Sequence, residues 1–345
     1  MRQTLVIVNK HRITVGINSI GYYIPSRVLT SESIAKSAQI ELSVLTEKIG
    51  MKQKHVADPN EHPSDMGLKA ARSALEKVSI SPEEIDIIAY CGAGHYDYRF
   101  WSPAAKIQTQ LEAHNAFAFE VKNFCNSGNL GINICRHLLL GNPEASYALV
   151  ICSDTLSRLI DHRDRSAPAL LMFADGAAAA LLKKNESSNV IHEYCAITDG
   201  SLADDVRIDL GGTKKPFNDT SNLQEQYVKV QDNEKLGMIL GEIYLKNYLQ
   251  VINQSLSKSG YGIADIDFLF TNQVKNSLFK EILYNLGLSE ENTYISLNNY
   301  GHMGAVDTFF CLGKVIENRR VKEGNIVVLA SSAAGFSWAA LTISF

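Results

Sequence analysis

One cysteine of this chain has the sequence surroundings of a catalytic nucleophile. Cys125 follows a short apolar-rich run at 119–124 and precedes small residues that open a helix-like stretch through Leu140. We therefore predict that its thiol lies where a strand passes into a helix. The unpaired N–H groups and the positive dipole end at a helix N-terminus favour thiolate over thiol. A thiolate in this position suits acyl transfer, because thioesters form and break readily.

The other five cysteines show no pattern of pairing or of metal binding. They are scattered, with no CxxC pair and no histidines at zinc spacing: Cys91, Cys135, Cys152, Cys195 and Cys311. We interpret them as structural residues, which is also the alternative for Cys125 if its context is ignored. We expect no metal and no disulfide framework, and a reducing cytoplasm fits the chain.

Composition places the chain among ordinary globular proteins. Its 345 residues exceed what one hydrophobic core usually holds, and 46% are hydrophobic while 20% are charged. The net charge of −4 implies no general affinity for nucleic acid or anionic membranes. No apolar run approaches the length of a membrane span. The first 17 residues predict a strand rather than a signal peptide, because no small-residue cleavage site follows.

Helical periodicity alternates with short β-branched runs, the pattern of a layered α/β protein. We predict an amphipathic helix at 65–77 and strands at 85–91, 145–152 and 177–182. The segment 82–90 is echoed by 263–271, which indicates an internal duplication. We therefore divide the chain into a first half, 1–184, and a second half, 185–345.

A second repeat relates the cysteine to a histidine. Cys125 precedes a helix at 132–140 and then a strand that contains Cys152. His302 precedes a helix at 307–318 and then, at nearly the same distance, a strand that contains Ala330. A duplicated fold would place Cys125 and His302 at equivalent helix starts, so that both converge on one site.

In these segments the chain resembles thiolase-fold condensing enzymes, specifically the β-ketoacyl-acyl carrier protein synthase III group. The resemblance implies a five-layered αβαβα fold of duplicated βαβαβαββ halves and a homodimer. It also implies acyl-CoA or a phosphopantetheinyl acyl carrier protein as acyl donor, with no permanently bound cofactor. The matching segments follow one another in the family's order at 47–57, 64–71, 102–108, around Cys125, and at 152–155, 161–165, 173–178 and 333–338.

The chain departs from that group at two positions. The condensing enzymes carry a Cys-His-Asn set, in which His and Asn assist decarboxylation of a malonyl thioester. Here Asn272 occupies the histidine position and His302 the asparagine position, with Asp307 five residues further on. This Cys-His-Asp arrangement is similar to that of acyltransferases of secondary metabolism, which pass an acyl group to a hydroxyl or similar acceptor.

The sequence thus predicts an acyltransferase that loads Cys125 from a thioester and passes the acyl group to an oxygen or nitrogen acceptor. We expect His302 to act as general base, as a neutral imidazole near its ordinary pKa. Asp307 would accept the other ring N–H, or it is only a first-turn helix carboxylate. The alternatives for the whole chain are a decarboxylating condensing enzyme and a non-catalytic subunit of a thiolase-fold heterodimer.

Further residues complete the predicted site. Asn272 would donate its amide to substrate, or it is satisfied by backbone; an amide cannot act as a base. The N–H of Cys125 and one in 334–336, assigned to Gly335, would form an oxyanion hole, with a simple turn as the alternative. A basic cluster would meet a phosphate of the donor unless its charges are merely solvated: Lys48, Lys52 and Lys54.

The sequence leaves the roles of two segments open. The polar-aromatic loop 95–101 either lines an acyl or acceptor pocket or lies on the surface. The long segment 199–232, rich in Asn, Asp and Gln, either covers the site or a partner surface or is a variable loop.

Overall fold

The computed structural model describes residues 13–345. The first strand begins at Val15, so the strand expected over the N-terminal 17 residues lies largely in 1–12, outside the described residues. Within the described part, no helix combines the length and the apolar character that a membrane span needs.

Strands and helices alternate along most of the chain. The strands are β1 (Val15–Tyr23), β2 (Val28–Thr30), β3 (Gln53–His55), β4 (Ile87–Gly92), β5 (Phe117–Lys122), β6 (Tyr147–Thr155), β7 (Asp175–Lys184), β8 (Val190–Thr198), β9 (Val206–Arg207), β10 (Lys229–Val230), β11 (Ile266–Thr271), β12 (Ile326–Ala333) and β13 (Ser337–Ser344). The helices are α1 (Ser31–Ala38), α2 (Pro63–Glu76), α3 (Pro103–Leu111), α4 (Ser127–Gly141), α5 (Asn233–Lys258), α6 (Asn276–Asn285), α7 (Leu297–Tyr300) and α8 (Val306–Glu317).

The predicted elements of the first half are confirmed. The helix expected at 65–77 is α2, which starts with Pro63 at its first turn and buries Met66, Ala70 and Ala74 on one face. The three expected strands are β4, β6 and β7, and nearly every residue in them is buried. Such continuous burial explains their unbroken apolar runs, because both faces of these strands are covered by helices.

Among residues 13–345, nine strands form one sheet, in the order β11-β12-β13-β8-β1-β7-β6-β4-β5. Its two parts meet where β1 pairs with β8, at Gly16 and Val190. In chain order the first part reads β1-α2-β4-α3-β5-α4-β6-β7, the expected βαβαβαββ unit. The second part reads β8-α5-β11-α6-α8-β12-β13, and within residues 13–345 its third strand is not formed. The division at 184 and 185 falls between β7 and β8 and stays a prediction.

The helices and the two parts of the sheet stack in five layers, three of helices and two of strands. Helices α2 and α3 pack on the outer face of the first part, and α5 and α6 pack on the outer face of the second. Helices α4 and α8 lie between the two parts, in one continuous apolar cluster. This central layer matters for function, because Cys125 precedes α4 and His302 precedes α8.

Candidate active site

Cys125 lies where the sequence places it, between a strand and a helix. Strand β5 ends at Lys122, a single 3₁₀ turn spans Phe124–Asn126, and α4 follows at once. Phe124 has a φ of 48°, in the left-handed region that residues with side chains rarely adopt. The chain therefore reverses sharply before the cysteine. The N–H of Cys125 donates to no acceptor among residues 13–345, as expected at a helix start.

Backbone hydrogen bonds hold His302 on both sides. Its N–H donates to the carbonyl of Met172 at 2.9 Å, and its carbonyl accepts from the N–H of Ala174 at 2.9 Å. The ring of Phe173 meets the imidazole edge-on, with 5.6 Å between centroids. The segment 172–174 thus pairs with the backbone of His302 through both its N–H and its carbonyl. The His302 side chain is 1% exposed.

The predicted triad is assembled across the two halves. The Sγ of Cys125 lies 3.4 Å from Nε2 of His302, and Nδ1 of His302 lies 2.6 Å from Oδ2 of Asp307. The other carboxylate oxygen of Asp307 accepts the N–H of Met303 at 2.9 Å. Asp307 therefore contacts the imidazole directly and is more than a first-turn carboxylate. The sulfur comes from the first half, and the imidazole and carboxylate from the second.

A glycine allows the two helix starts to meet. A Cβ at Gly128, in the first turn of α4, would lie 2.8 Å from Sγ of Cys152 and 3.1 Å from the carbonyl of Ala305. Contacts this short leave no room for a larger residue unless the sulfur of Cys152 shifts and the backbone ahead of α8 moves slightly. The close packing in the central layer thus sets the distance between Cys125 and His302.

Electrostatics favour an ion pair in this triad. Burial opposes a charge on His302, but the negative charges of Asp307 and Cys125 and their hydrogen bonds raise the pKa of His302 to about 10. An imidazolium within hydrogen-bond distance of a thiol favours the thiolate. The expectation of an ordinary pKa for His302 is therefore wrong, because the sequence spacing does not show how closely Asp307 and Cys125 approach the ring.

Asn272 is tied to the backbone. Its Oδ1 accepts the N–H of Ser332 at 2.8 Å and the hydroxyl of Tyr248 at 2.6 Å, and its Nδ2 donates to the carbonyl of Ser332 at 2.9 Å. One Nδ2 hydrogen remains for a ligand, and the residue borders the same cavity as Cys125 and His302. The backbone-satisfied alternative thus describes most of its bonding, and its role towards substrate stays a prediction.

The predicted anion-binding N–H groups lie on the hairpin between β12 and β13. The N–H of Phe336 donates to the carbonyl of Asp199 at 3.0 Å, so it is engaged. The N–H groups of Ala334 and Gly335 meet no acceptor within the described part of the chain. Ala334 borders the cavity that holds Cys125, whereas the predicted Gly335 is not among its lining residues, so Ala334 is a second candidate donor.

The predicted lysine cluster is wrong for one of its members. Lys54 is fully buried, and its Nζ donates to the carbonyls of Leu171 at 2.8 Å and Phe173 at 2.7 Å. It therefore cannot meet a phosphate in solution. Lys48 and Lys52 are exposed, and Lys48 borders the cavity. The error arises because alternation in the short strand β3 turns Lys54 inward, which three closely spaced lysines do not reveal.

The triad opens into a large cavity of about 1220 Å³. Its walls are mainly apolar and come from α5, from the turns at 44–49 and 168–172, and from Val206 and Val230. The last two residues belong to 199–232, so this segment covers part of the site. The loop 95–101 contributes no wall residue; Phe100 is fully exposed, and Arg99 packs on the ring of Phe217.

Sequence reasoning missed four residues of this cavity. Tyr244 and Ser332 bond to each other through their hydroxyls on its wall, and Lys246 and Lys275 are exposed residues on its rim. The apolar spacing along α5 could have indicated a helix lining a pocket. The pairing of Tyr244 with Ser332 had no sequence signal, because it joins α5 to the distant strand β12.

Comparison with known proteins agrees with this geometry. Residues 119–200 match the family described as 3-Oxoacyl-[acyl-carrier-protein (ACP)] synthase III, and residues 256–345 match its C-terminal part. The β-ketoacyl-[acyl-carrier-protein] synthase III of Natranaerobius thermophilus is 28% identical over 333 residues, which cover 95% of this chain and 98% of that protein. The enzyme of the same name from Clostridium tetani is 29% identical over 334 residues, 96% of this chain and 98% of its own.

A solved structure shows the same fold. The 3-oxoacyl-[acyl-carrier-protein] synthase III of Aquifex aeolicus superposes with a TM-score of 0.84 at 24% identity, covering 96% of this chain and all of that one. The architecture is therefore thiolase-like, as the resemblance implied. From its fold and these matches, the chain belongs to the 3-oxoacyl-[acyl-carrier-protein] synthase III-like family, whose enzymes transfer and condense acyl groups.

Proposed function

We propose that this protein is an acyltransferase that forms an acyl-Cys125 enzyme and passes the acyl group to an oxygen or nitrogen acceptor. The donor is an acyl-CoA or an acyl-carrier-protein thioester, and the setting is secondary metabolism in the cytoplasm. The observation that carries the proposal is the contact chain from Cys125 through His302 to Asp307. Asn272, rather than a second histidine, borders the same cavity.

In the first half-reaction the Cys125 thiolate attacks the thioester carbonyl. The N–H groups of Cys125 and of Ala334 or Gly335 stabilise the oxyanion, a contribution of about 3 kcal/mol for such a donor. The carbon–sulfur bond to the donor then breaks, and the departing thiolate takes the proton of the His302 imidazolium. The products are a free donor thiol, an acyl-Cys125 and a neutral imidazole.

In the second half-reaction the neutral His302 acts as general base. It removes the proton of the acceptor O–H or N–H as that atom attacks the acyl carbonyl. The Cys125–acyl bond breaks, and the thiolate–imidazolium pair forms again. Asp307 fixes the tautomer of the ring and stabilises the imidazolium in both steps.

The second candidate is decarboxylative condensation, which the names of the relatives favour. That reaction, in the form the resemblance implies, uses a histidine and an asparagine together at the malonyl thioester. Here the imidazole bonds to Cys125 and Asp307, and the amide of Asn272 bonds to Ser332 and Tyr248. The chemistry of these two side chains therefore supports acyl transfer over decarboxylation.

The cavity suits a thioester donor. Its apolar walls match an acyl chain, and at its rim the exposed Lys48, Lys246 and Lys275 outnumber the exposed Glu242 and Glu281. Cations at the entrance of an apolar pocket favour a ligand with an apolar tail and an anionic head. Coenzyme A and phosphopantetheine both carry phosphate at the end opposite the thioester.

The proposal includes a homodimer. Strand β5 is an edge strand of the sheet, with Phe117 66% exposed and stacked on Phe119 at 5.4 Å. An exposed apolar edge strand is a surface on which another strand can pair. Light scattering should give twice the mass of the chain, and Phe117→Lys should lower that mass by placing a charge on the apolar edge of β5. A monomeric mass for the unaltered protein would contradict the dimer.

Mass spectrometry of the intact protein tests the proposed function. Incubation with a panel of acyl-CoA thioesters should add one acyl mass, and the peptide that contains Cys125 should carry it. Cys125→Ala should abolish the adduct, whereas Cys311→Ala, which alters a buried cysteine, should leave it. A wild-type protein that stays unlabelled across the panel would defeat the proposal.

A malonyl-CoA arm of the same experiment separates the two candidates. The proposal predicts no release of carbon dioxide, because Asn272 offers no imidazole to the malonyl thioester. The double variant Asn272→His, His302→Asn asks whether the exchange of these two side chains alone decides the chemistry. Rapid release of carbon dioxide by the unaltered protein would favour condensation instead.

Asp307→Asn tests the electrostatics of the triad. Loss of the carboxylate lowers the raised pKa of His302, so the proton returns to sulfur and the thiolate population at pH 7 falls. Alkylation of Cys125 by iodoacetamide at pH 7 should slow by up to about tenfold for each unit by which the pKa of His302 falls. The rate should recover as the pH rises and the thiol ionises unaided.

The matched control is Asp86→Asn. The carboxylate of Asp86 accepts the N–H groups of Ser146 and Tyr147 where strands β4 and β6 begin, at the ends of the strands opposite the triad. Its alkylation profile should equal that of the wild type. An Asp307→Asn variant that alkylates at pH 7 as fast as the wild type would show that the carboxylate does not hold the imidazolium.

A further inference from the structure

The strand that carries Lys54 lies directly against the segment that leads to His302. The N–H of Lys52 donates to the carbonyl of Asn298 at 2.8 Å, and the ring of His55 stacks on Tyr300 at 5.3 Å between centroids. A Cβ at Gly301 would lie 2.7 Å from Cβ of Lys54. The residue before the histidine is therefore a glycine that allows contact with the lysine.

The ammonium of Lys54 bonds on either side of the residue that binds His302. Its Nζ donates to the carbonyls of Leu171 and Phe173, and the carbonyl between them, that of Met172, accepts the N–H of His302. Two carbonyls that flank a third and bond to one donor fix the orientation of the peptide units between them. The lysine thus orients the segment 172–174, which binds the backbone of His302.

Burial of this lysine has an electrostatic cost. Desolvation lowers the pKa of Lys54 to about 7, and the charge of Asp175 opposes the shift. The carboxylate of Asp175 is itself satisfied by the N–H groups of Ala57 and Ser157 and the hydroxyl of Ser157. Without the ammonium, the carbonyls of Leu171 and Phe173 would lose their buried donor, an unfavourable state.

We propose that Lys54 is a positioning residue for His302: it holds the 171–173 backbone so that the Met172 carbonyl fixes the histidine with Nε2 at the sulfur of Cys125. The inference rests on the proposed function for the role of His302. It replaces the phosphate-binding role that the sequence indicated for Lys54.

The chain offers a matched control in a second buried lysine. Lys184 donates its Nζ to three backbone carbonyls far from the triad in sequence, those of Asn142, Pro143 and Ala145, at 2.6, 3.0 and 3.1 Å. Both buried lysines therefore donate to backbone carbonyls, but only Lys54 donates to those beside the carbonyl that binds His302. A merely structural role predicts the same consequences for loss of either ammonium.

The test is the pH dependence of Cys125 alkylation by iodoacetamide in Lys54→Met and Lys184→Met, with Cys125→Ala as background. Both variants should melt at lower temperature than the wild type. Lys54→Met alone should alkylate about tenfold more slowly at pH 7, with a profile displaced towards that of His302→Ala. Lys184→Met should keep the wild-type profile. Asp154 and Asp307, whose charges also face His302, are unchanged in both.

A wild-type profile in folded Lys54→Met, or an equal displacement in Lys184→Met, would overturn the inference. If Lys54→Met does not fold, the profile is measured on Lys54→Gln, whose shorter amide cannot reach both carbonyls; a wild-type profile there overturns it equally. Alkylation needs no acyl donor. If no acyl-Cys125 forms but alkylation still depends on Lys54, only the proposed function fails. If acyl-Cys125 forms but alkylation does not depend on Lys54, only this inference fails.

Discussion

The hydrogen bond between the sulfur of Cys125 and the imidazole of His302 joins two halves of a duplicated fold. Neither half is reactive alone. A thiol at a helix start is only a moderate nucleophile without a base, and a buried histidine without the thiol has no nucleophile to activate. At 3.4 Å the sulfur lies within reach to pass its proton to the imidazole, and Asp307, 2.6 Å behind the ring, stabilises a positive charge on it. Small displacements matter here, because such an interaction weakens steeply with distance and angle.

The central layer of helices provides that precision. Helices α4 and α8 pack between the two parts of the sheet, and Gly128 brings the start of one against Ala305 ahead of the other. Outside this layer, the residues that line the cavity need less exact positions than the reactive pair. The cavity walls come from a long helix, short turns and the irregular segment 199–232, so the chain can vary its substrate pocket while the reactive pair stays fixed.

The sequence predicted the fold and the proximity of Cys125, His302 and Asp307, because both leave periodic or repeated signals. Cys125 and His302 precede similar helices and strands, and the pairing follows from the duplication. Lys54 was misread, since lysines spaced two and four residues apart look like a charged surface until alternation in a strand buries one of them. The protonation of His302 and the Tyr244–Ser332 pair depend on distances between remote segments, which no local pattern encodes.

The most direct test of the account is the ionisation state of His302 in the resting protein. Nitrogen-15 NMR of the histidine rings distinguishes an imidazolium, protonated at both nitrogens, from a neutral ring. We expect His302 to give the imidazolium signature at pH 7, and the pKa of His302 to fall in Cys125→Ala, where the partner at Nε2 is gone. A neutral His302 in the unaltered protein at pH 7 would contradict the thiolate–imidazolium pair on which the proposed chemistry depends.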